Sequence, residues 1–195
     1  ERTETADYRP GIAFIELGRS AIASNRELRL IALPSMQRIA EAVGESVSLM
    51  RLYNRRAVCI ESIEGQQALR VTIERGRTQP LHAGASSKIL LAYLPEDQWE
   101  EQLEFPLARF THTTITDFDA LRTQLHAVRD AGYCISNGEI DVGARALAVP
   151  LFDGRDEIVA ALSIEAPASR MDDAIIGDYL VLLQREAEHI YRELS

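Results

Sequence analysis

Arg145-Ala146-Leu147-Ala148-Val149-Pro150-Leu151-Phe152 runs into Asp153-Gly154 and then into Glu157-Ile158-Val159-Ala160-Ala161-Leu162-Ser163-Ile164-Glu165. Asp-Gly between two apolar runs is a strong hairpin signal, because it tolerates the positive φ angles that match strand twist. The stretch therefore reads as two antiparallel strands. Side chains alternate along a strand, so Ala161, Ser163 and Glu165 share one face. An acid beside a serine at the end of an apolar strand has two readings. It is a polar wall of a small-molecule pocket, or it is solvated at the strand end.

Working outward, Tyr133–Ser136 reads as a further strand, separated from the hairpin by Asn137-Gly138. A helix over Phe118–Ala131 precedes it, capped by Thr116-Asp117 and closed by Gly132, with Leu121, Leu125 and Val128 on one face. After the hairpin, Met171-Asp172-Asp173 places acids at the start of a long C-terminal helix, which carries Ile176, Leu180, Leu183, Ala187 and Ile190 or Tyr191 on one face. Toward the N-terminus, apolar spacing predicts a helix from Ile12. A second helix follows a cap at Ser24-Asn25 and stops at Gly44, with a kink or break near Pro34. Ser46–Tyr53, Ala57–Glu64 and Ala68–Glu74 read as a meander of three strands. Gly76–Pro80 is a loop, Ala85–Leu94 a helix, Glu96–Leu103 a short helix after Pro95, and 104–116 irregular. Helices and hairpins are segregated rather than alternating, which predicts an α+β fold with an antiparallel sheet.

The 195 residues are 46% hydrophobic and 26% charged. A chain of that length buries roughly 70% of its unfolded surface, so it needs no metal or disulfide staple. With 21 Lys+Arg against 30 Asp+Glu, the net charge is −9. Phosphate neutralisation by bases supplies most non-specific nucleic-acid affinity, so this stretch is a poor binder of polyanions. Two cysteines, Cys59 and Cys134, make no disulfide framework and fit a reducing compartment. No apolar run is long enough to span a bilayer, and no signal peptide opens the chain. The polar, Met-less start predicts a leader or linker remnant over 1–10 and one domain over 11–195, with a preceding piece cut away.

Tests for chemistry are mostly negative. No Gly-rich phosphate loop, His-Glu-x-x-His or Cys-x-x-Cys occurs, and His82, His112, His126 and His189 are widely separated. Ala85-Ser86-Ser87-Lys88 misses the Ser-x-x-Lys spacing by one residue. Ser86 therefore reads as a helix-start serine, a ligand contact or, as the outlying case, a nucleophile. Exposed N–H groups at a helix start suit a carboxylate or phosphate. Gln37–Ser48 has the outline of a helix-turn-helix, but Val47, Leu49, Met50, Leu52 and Tyr53 have strand texture and lack the basic surface of a recognition helix. Cys59 reads as core and Cys134 as core or pocket. Glu139, Asp141 and Glu165 are carboxylates near strand ends, which read as a general-acid/base pair or, as is usual for isolated acids in an acidic chain, as solvated groups.

Four stretches together resemble one family. They are Pro80–Pro95, Thr114-Ile115-Thr116-Asp117 with Leu121, Gly132-Tyr133 with Gly143–Pro150, and Ala161-Leu162-Ser163-Ile164-Glu165-Ala166-Pro167-Ala168-Ser169-Arg170. Each is weak alone, and the four occur in order. They are similar to the C-terminal effector-binding domain of IclR-type bacterial transcriptional regulators. The resemblance implies a GAF-like curved antiparallel sheet flanked by helices, with a long C-terminal helix. It implies a cytoplasmic regulator, not an enzyme, with no cofactor and no metal. Its partners would be a small-molecule effector, often an organic or aromatic acid, and its own copies in a homodimer or tetramer. DNA would be met only through an N-terminal winged helix-turn-helix ahead of this chain. Tyr8–Arg19 would then be the connecting helix.

By position, the resemblance places ligand-binding residues at Val71, Ala85, Ser86, Ser136, Ala146, Ser163 and Glu165. Glu165 stands where the family has a small residue, and Ser136-Asn137 where it has an acidic pair. An ionised Glu165 in the pocket would repel a simple carboxylate and favour a cationic or hydroxyl-rich ligand, or would pair with Arg145. The rival classes are a hydrolase using Ser86 or Cys134, which needs a base such as His82 within reach, and a purely structural dimerisation module.

Overall fold

The computed structural model describes residues 25–194. The helix expected from Ile12 and the leader over 1–10 lie outside the described residues. Helix α1 spans Arg26–Val43 and ends at Gly44, whose φ of 71° suits a glycine C-cap. Asn25 precedes it without a side-chain cap; its Oδ1 instead accepts from Arg51. Pro34 does not break α1. It lies on the exposed side, where water can take the carbonyl that a proline leaves unbonded.

Strands β1 (Ser46–Tyr53) and β2 (Arg56–Ile63) form a hairpin through Asn54 and Arg55, both at positive φ. The third strand of the meander is not at Ala68–Glu74. Residues 64–77 leave the sheet as a loop, and the pairing with β2 is made by the short β3 (Thr78–Pro80). Gly65 sits so close to the Glu45–Ser46 backbone that a Cβ would fall 2.9 Å from it, so the chain can turn away tightly there. Ser46 Oγ accepts from Gly65 N and lies 3.0 Å from Thr72 Oγ1, tying the loop down. The loop's local β texture lost to these contacts, since Gln66, Gln67 and Arg70 face solvent.

Helix α2 (Ala85–Ala92) is wholly buried, and only a three-residue 3-10 turn, Glu96–Gln98, stands where a short helix over Glu96–Leu103 was expected. Helix α3 (Phe118–Ala131) is capped by Asp117, which accepts from Ala120 N at 2.8 Å, and ends at Gly132. Strands β4 (Cys134–Asn137), β5 (Ala144–Phe152) and β6 (Ile158–Pro167) follow, then helix α4 (Asp173–Leu194). The β5–β6 connection takes its left-handed residue at Asp156 rather than Gly154. Asp153 Oδ1 accepts from the N–H groups of Arg155 and Glu157 and holds that turn.

The six strands form one curled antiparallel sheet in the order β3-β2-β1-β6-β5-β4. The curled α+β fold expected from the hairpins and from the family resemblance is the one observed. Helices α1 and α4 cover one face over Leu49, Val149, Leu162 and Ile164, and α2 and α3 cover the other over Met50, Cys59, Ala148 and Ala161. The strands therefore carry two cores, one for each phase of their period-two pattern. Gln37–Ser48 is helix followed by strand, not a helix-turn-helix.

Candidate functional site

On the α2 face, strand register lines up Ser136 on β4, Ala146 on β5, Glu165 on β6 and Ser46 on β1. The next row along brings Ala148, Ser163 and Ser48 together. Directly opposed residues project to the same side of a sheet, so these rows floor one space. The start of α2 and the loop residues Val71–Ile73 wall it. The result is a cavity of about 60 Å³, lined by Val71, Ala85, Ser86, Ser136, Ala146 and Glu165 among others. Ser163 is not on the lining; it lies just behind it, bonded to two lining residues. All seven residues expected from the sequence thus lie at one place.

Glu165 is the centre of the polar group. It is only 2% exposed. Its Oε1 accepts from Ser48 Oγ at 2.7 Å and from Ser163 Oγ at 2.5 Å. Ser86 Oγ, in the first turn of α2, donates to Ser163 Oγ at 2.7 Å. Burial pushes the Glu165 carboxyl up to about 7, against the two serine hydroxyls, which favour its charged form. Glu165 does not pair with Arg145. The terminal nitrogens of that guanidinium bond Met171 O and Asp173, and its Nε is buried without a partner among the described residues.

Helix α2 brings its first turn to the cavity because Gly84 takes a φ of 90° there, and a Cβ would meet Gln79 Oε1 at 3.2 Å. Gly84 N donates to Glu139 Oε2, and Glu139 Oε1 receives Lys88 Nζ at 2.5 Å, with Gln124 Oε1 also on Lys88. Lys88 is fully buried, and Glu139 nearly so. Glu139 is therefore no solvated acid but half of a buried ion pair that anchors α2. Sequence reasoning missed this pair and missed Ser48. The signals were present: a lysine amid Ile89-Leu90-Leu91, and Ser46 and Ser48 alternating with Val47 on one strand.

A hydrolase centre is not assembled. The Ser86 hydroxyl donates its hydrogen bond to Ser163 Oγ, and His82 Nε2 lies 2.8 Å from Ala108 O rather than beside Ser86. Burial pushes the Cys134 thiol to about 11, far from a thiolate nucleophile. Cys59 rises to about 12, by burial first and then by the nearby Glu165 and Glu61. Among the described residues no cluster of His, Cys, Asp or Glu can hold a metal ion.

A curled antiparallel sheet with helices on both faces and a small walled cavity at the start of a buried helix defines an α+β domain built around a small-molecule-sized space. The chain belongs to the IclR-type bacterial transcriptional regulators: residues 20–192 match the family described as bacterial transcriptional regulator IclR C-terminal. It is 31% identical to the HTH-type transcriptional regulator XynR of Escherichia coli, over all of this chain and 77% of that protein. The crystal structure of Thermotoga maritima IclR superposes with a TM-score of 0.85 at 31% identity, covering 99% of this chain and 78% of that one. An IclR homologue from Microbacterium hydrocarbonoxydans, solved as a complex with 4-hydroxybenzoate, superposes at 0.82 with 30% identity, covering 100% and 78%. The chain is thus part of a transcriptional regulator and not an enzyme. No helix among the described residues is long and apolar enough to cross a membrane.

Proposed function

We propose that residues 11–195 form the ligand-sensing and oligomerisation domain of a cytoplasmic regulator, working as a homodimer or tetramer. A small metabolite enters the cavity at the start of α2, contacting Val71, Ala85, Ser86, Ser136, Ala146 and Glu165, with Ser163 behind them. Binding changes how a DNA-binding domain ahead of this chain holds its operator. The observation that carries this reading is the cavity itself, walled by a helix start and floored by polar side chains on an otherwise apolar strand. A related protein of the same fold holds 4-hydroxybenzoate, which supports a small organic ligand here.

The walls belong to α2, the sheet and the 64–77 loop, so a ligand touching all three can favour one arrangement of them over another. A ligand shifts an equilibrium only by its unequal affinity for the two states. The test is a thermal-shift screen against a metabolite library. A ligand that binds only the folded state raises the melting temperature with concentration, by about 2.7 kcal/mol of stability at a hundredfold excess over Kd. Ala146→Leu fills the cavity and should abolish the response while leaving the unliganded protein folded. A library hit that shifts the variant as much as the wild type would place binding elsewhere. Sedimentation of the chain with and without the hit tests the oligomeric part.

A further inference from the structure

The two oxygens of Glu165 have different fates. Oε1 holds two serine hydroxyls, whereas Oε2 is buried and has no hydrogen-bond partner among the described residues. Glu165 is one of the residues that line the cavity. A buried acceptor without a donor forfeits the bonds it had in water. The neighbouring cations do not reach Oε2: Lys88 bonds Glu139 and Gln124, and Arg145 bonds Met171 O and Asp173 through its terminal nitrogens, its Nε being buried and without a partner among the described residues. The Ser86 hydroxyl already donates to Ser163 Oγ. Arg77 and Asp141, of opposite charge, stand on the exposed rim. What can complete Oε2 is therefore a hydrogen brought by the occupant of the cavity.

We propose that Glu165 sets the ligand class: the occupant is a compact molecule that presents a hydroxyl or ammonium hydrogen to Glu165 Oε2, and acids offering only acceptors at that point are excluded. This rests on the cavity being the ligand site. Size follows from the volume of about 60 Å³, well below the roughly 300 Å³ at which pockets for drug-sized ligands begin. Polarity follows from the oxygen left over once Ser48 and Ser163 have used the other. With Glu165 ionised, a keto or carboxylate oxygen in the same place would set lone pair against lone pair away from bulk water, where unpaired acceptors are least tolerated.

The test uses pairs of equal size that differ only in donor or acceptor: lactate against pyruvate, and 3-hydroxybutyrate against acetoacetate. Ethanolamine serves as the ammonium arm. Titration calorimetry of the wild type at pH 8.5, where Glu165 is ionised, should show the hydroxyl member, or ethanolamine, binding about tenfold more tightly than the keto members, the scale of one hydrogen bond to a charged group. Glu165→Gln keeps an oxygen for the two serines and puts an NH2 where Oε2 was, so it should reverse the order and favour the keto members. Glu165→Ser removes the group and should abolish the discrimination. It also serves if the glutamine variant folds poorly. Tighter binding of pyruvate or acetoacetate to the wild type, or an unchanged order in both variants, overturns the proposal while leaving the cavity a ligand site. No heat from any probe, together with no hit in the library screen, overturns both.

Discussion

The two faces of one sheet make different use of the same strands. On the α1–α4 face, Leu49, Leu147, Leu162 and Ile164 meet Met36, Ile39 and Leu183, and the buried Glu61 and Glu186 beside this core are each paired with an arginine of α1, Arg29 and Arg38. On the α2–α3 face, Trp99, Leu121 and Leu125 build a second apolar core, but Ser48, Ser163, Glu165, Lys88 and Glu139 are buried beside it. Burial of polar groups costs stability unless every member is bonded. The buried carboxylates Glu61 and Glu186 of the first face are paired with arginines, whereas Glu165 on the second keeps one oxygen unbonded, so it is the second face that has given up some stability for a polar cavity. The helix over each face reflects this. Helix α4 is 22 residues and amphipathic, whereas α2 is eight residues, buried all round, and anchored by an ion pair.

The comparison is broken most severely at Lys88. Lys88→Met leaves Glu139 buried without its partner and should cost about 3–5 kcal/mol, whereas replacing both by apolar residues should restore much of it. Chemical denaturation of the single and double variants checks this, and a double variant no more stable than the single would contradict it. On the other face, Leu183→Ala opens a cavity and should cost about 2–5 kcal/mol. It should leave ligand response per folded molecule unchanged, because Leu183 packs away from the site. A lost thermal response in a folded Leu183→Ala protein would join the two faces into one unit.

A third measurement isolates Glu165. Its carboxyl is raised from an ordinary 4.5 to about 7 by burial. A raised carboxyl favours the folded state when protonated, so its contribution is fully present below about 4.5. It is lost as pH climbs through about 7. A shift of that size corresponds to about 3 kcal/mol. Glu165→Gln cannot ionise, so the stability of the variant relative to the wild type should rise between pH 4.5 and 7.5. Melting curves across that window read it, and a flat difference would show that the carboxyl titrates normally.

Much of the fold was readable along the chain. Asp117 and Gly132 bound α3 because a cap carboxylate and a left-handed glycine act within a few residues. The β5–β6 pair and the placement of Ser163 and Glu165 on one face follow from strand period alone. The seven expected site residues came from a family resemblance, and the structure brings them to one place; that they bind a ligand is the part left to experiment. What was not readable depends on distant contacts. Residues 68–74 have strand composition, yet Gly65 against Glu45–Ser46 and Thr72 against Ser46 hold them off the sheet as a cavity wall. Glu139 looked solvated because Lys88 is 51 residues away in sequence.

By itself, then, the sequence determined the α+β class, the caps, the two-sided strand pattern and the family, since each depends on spacing within short windows. Only the tertiary structure decided where the charge goes. It paired Lys88 with Glu139, turned Arg145 away to Asp173, and left one oxygen of Glu165 unbonded at the cavity. Those outcomes are set by distances between elements far apart in the chain, and the low-dielectric interior makes each of them energetically decisive.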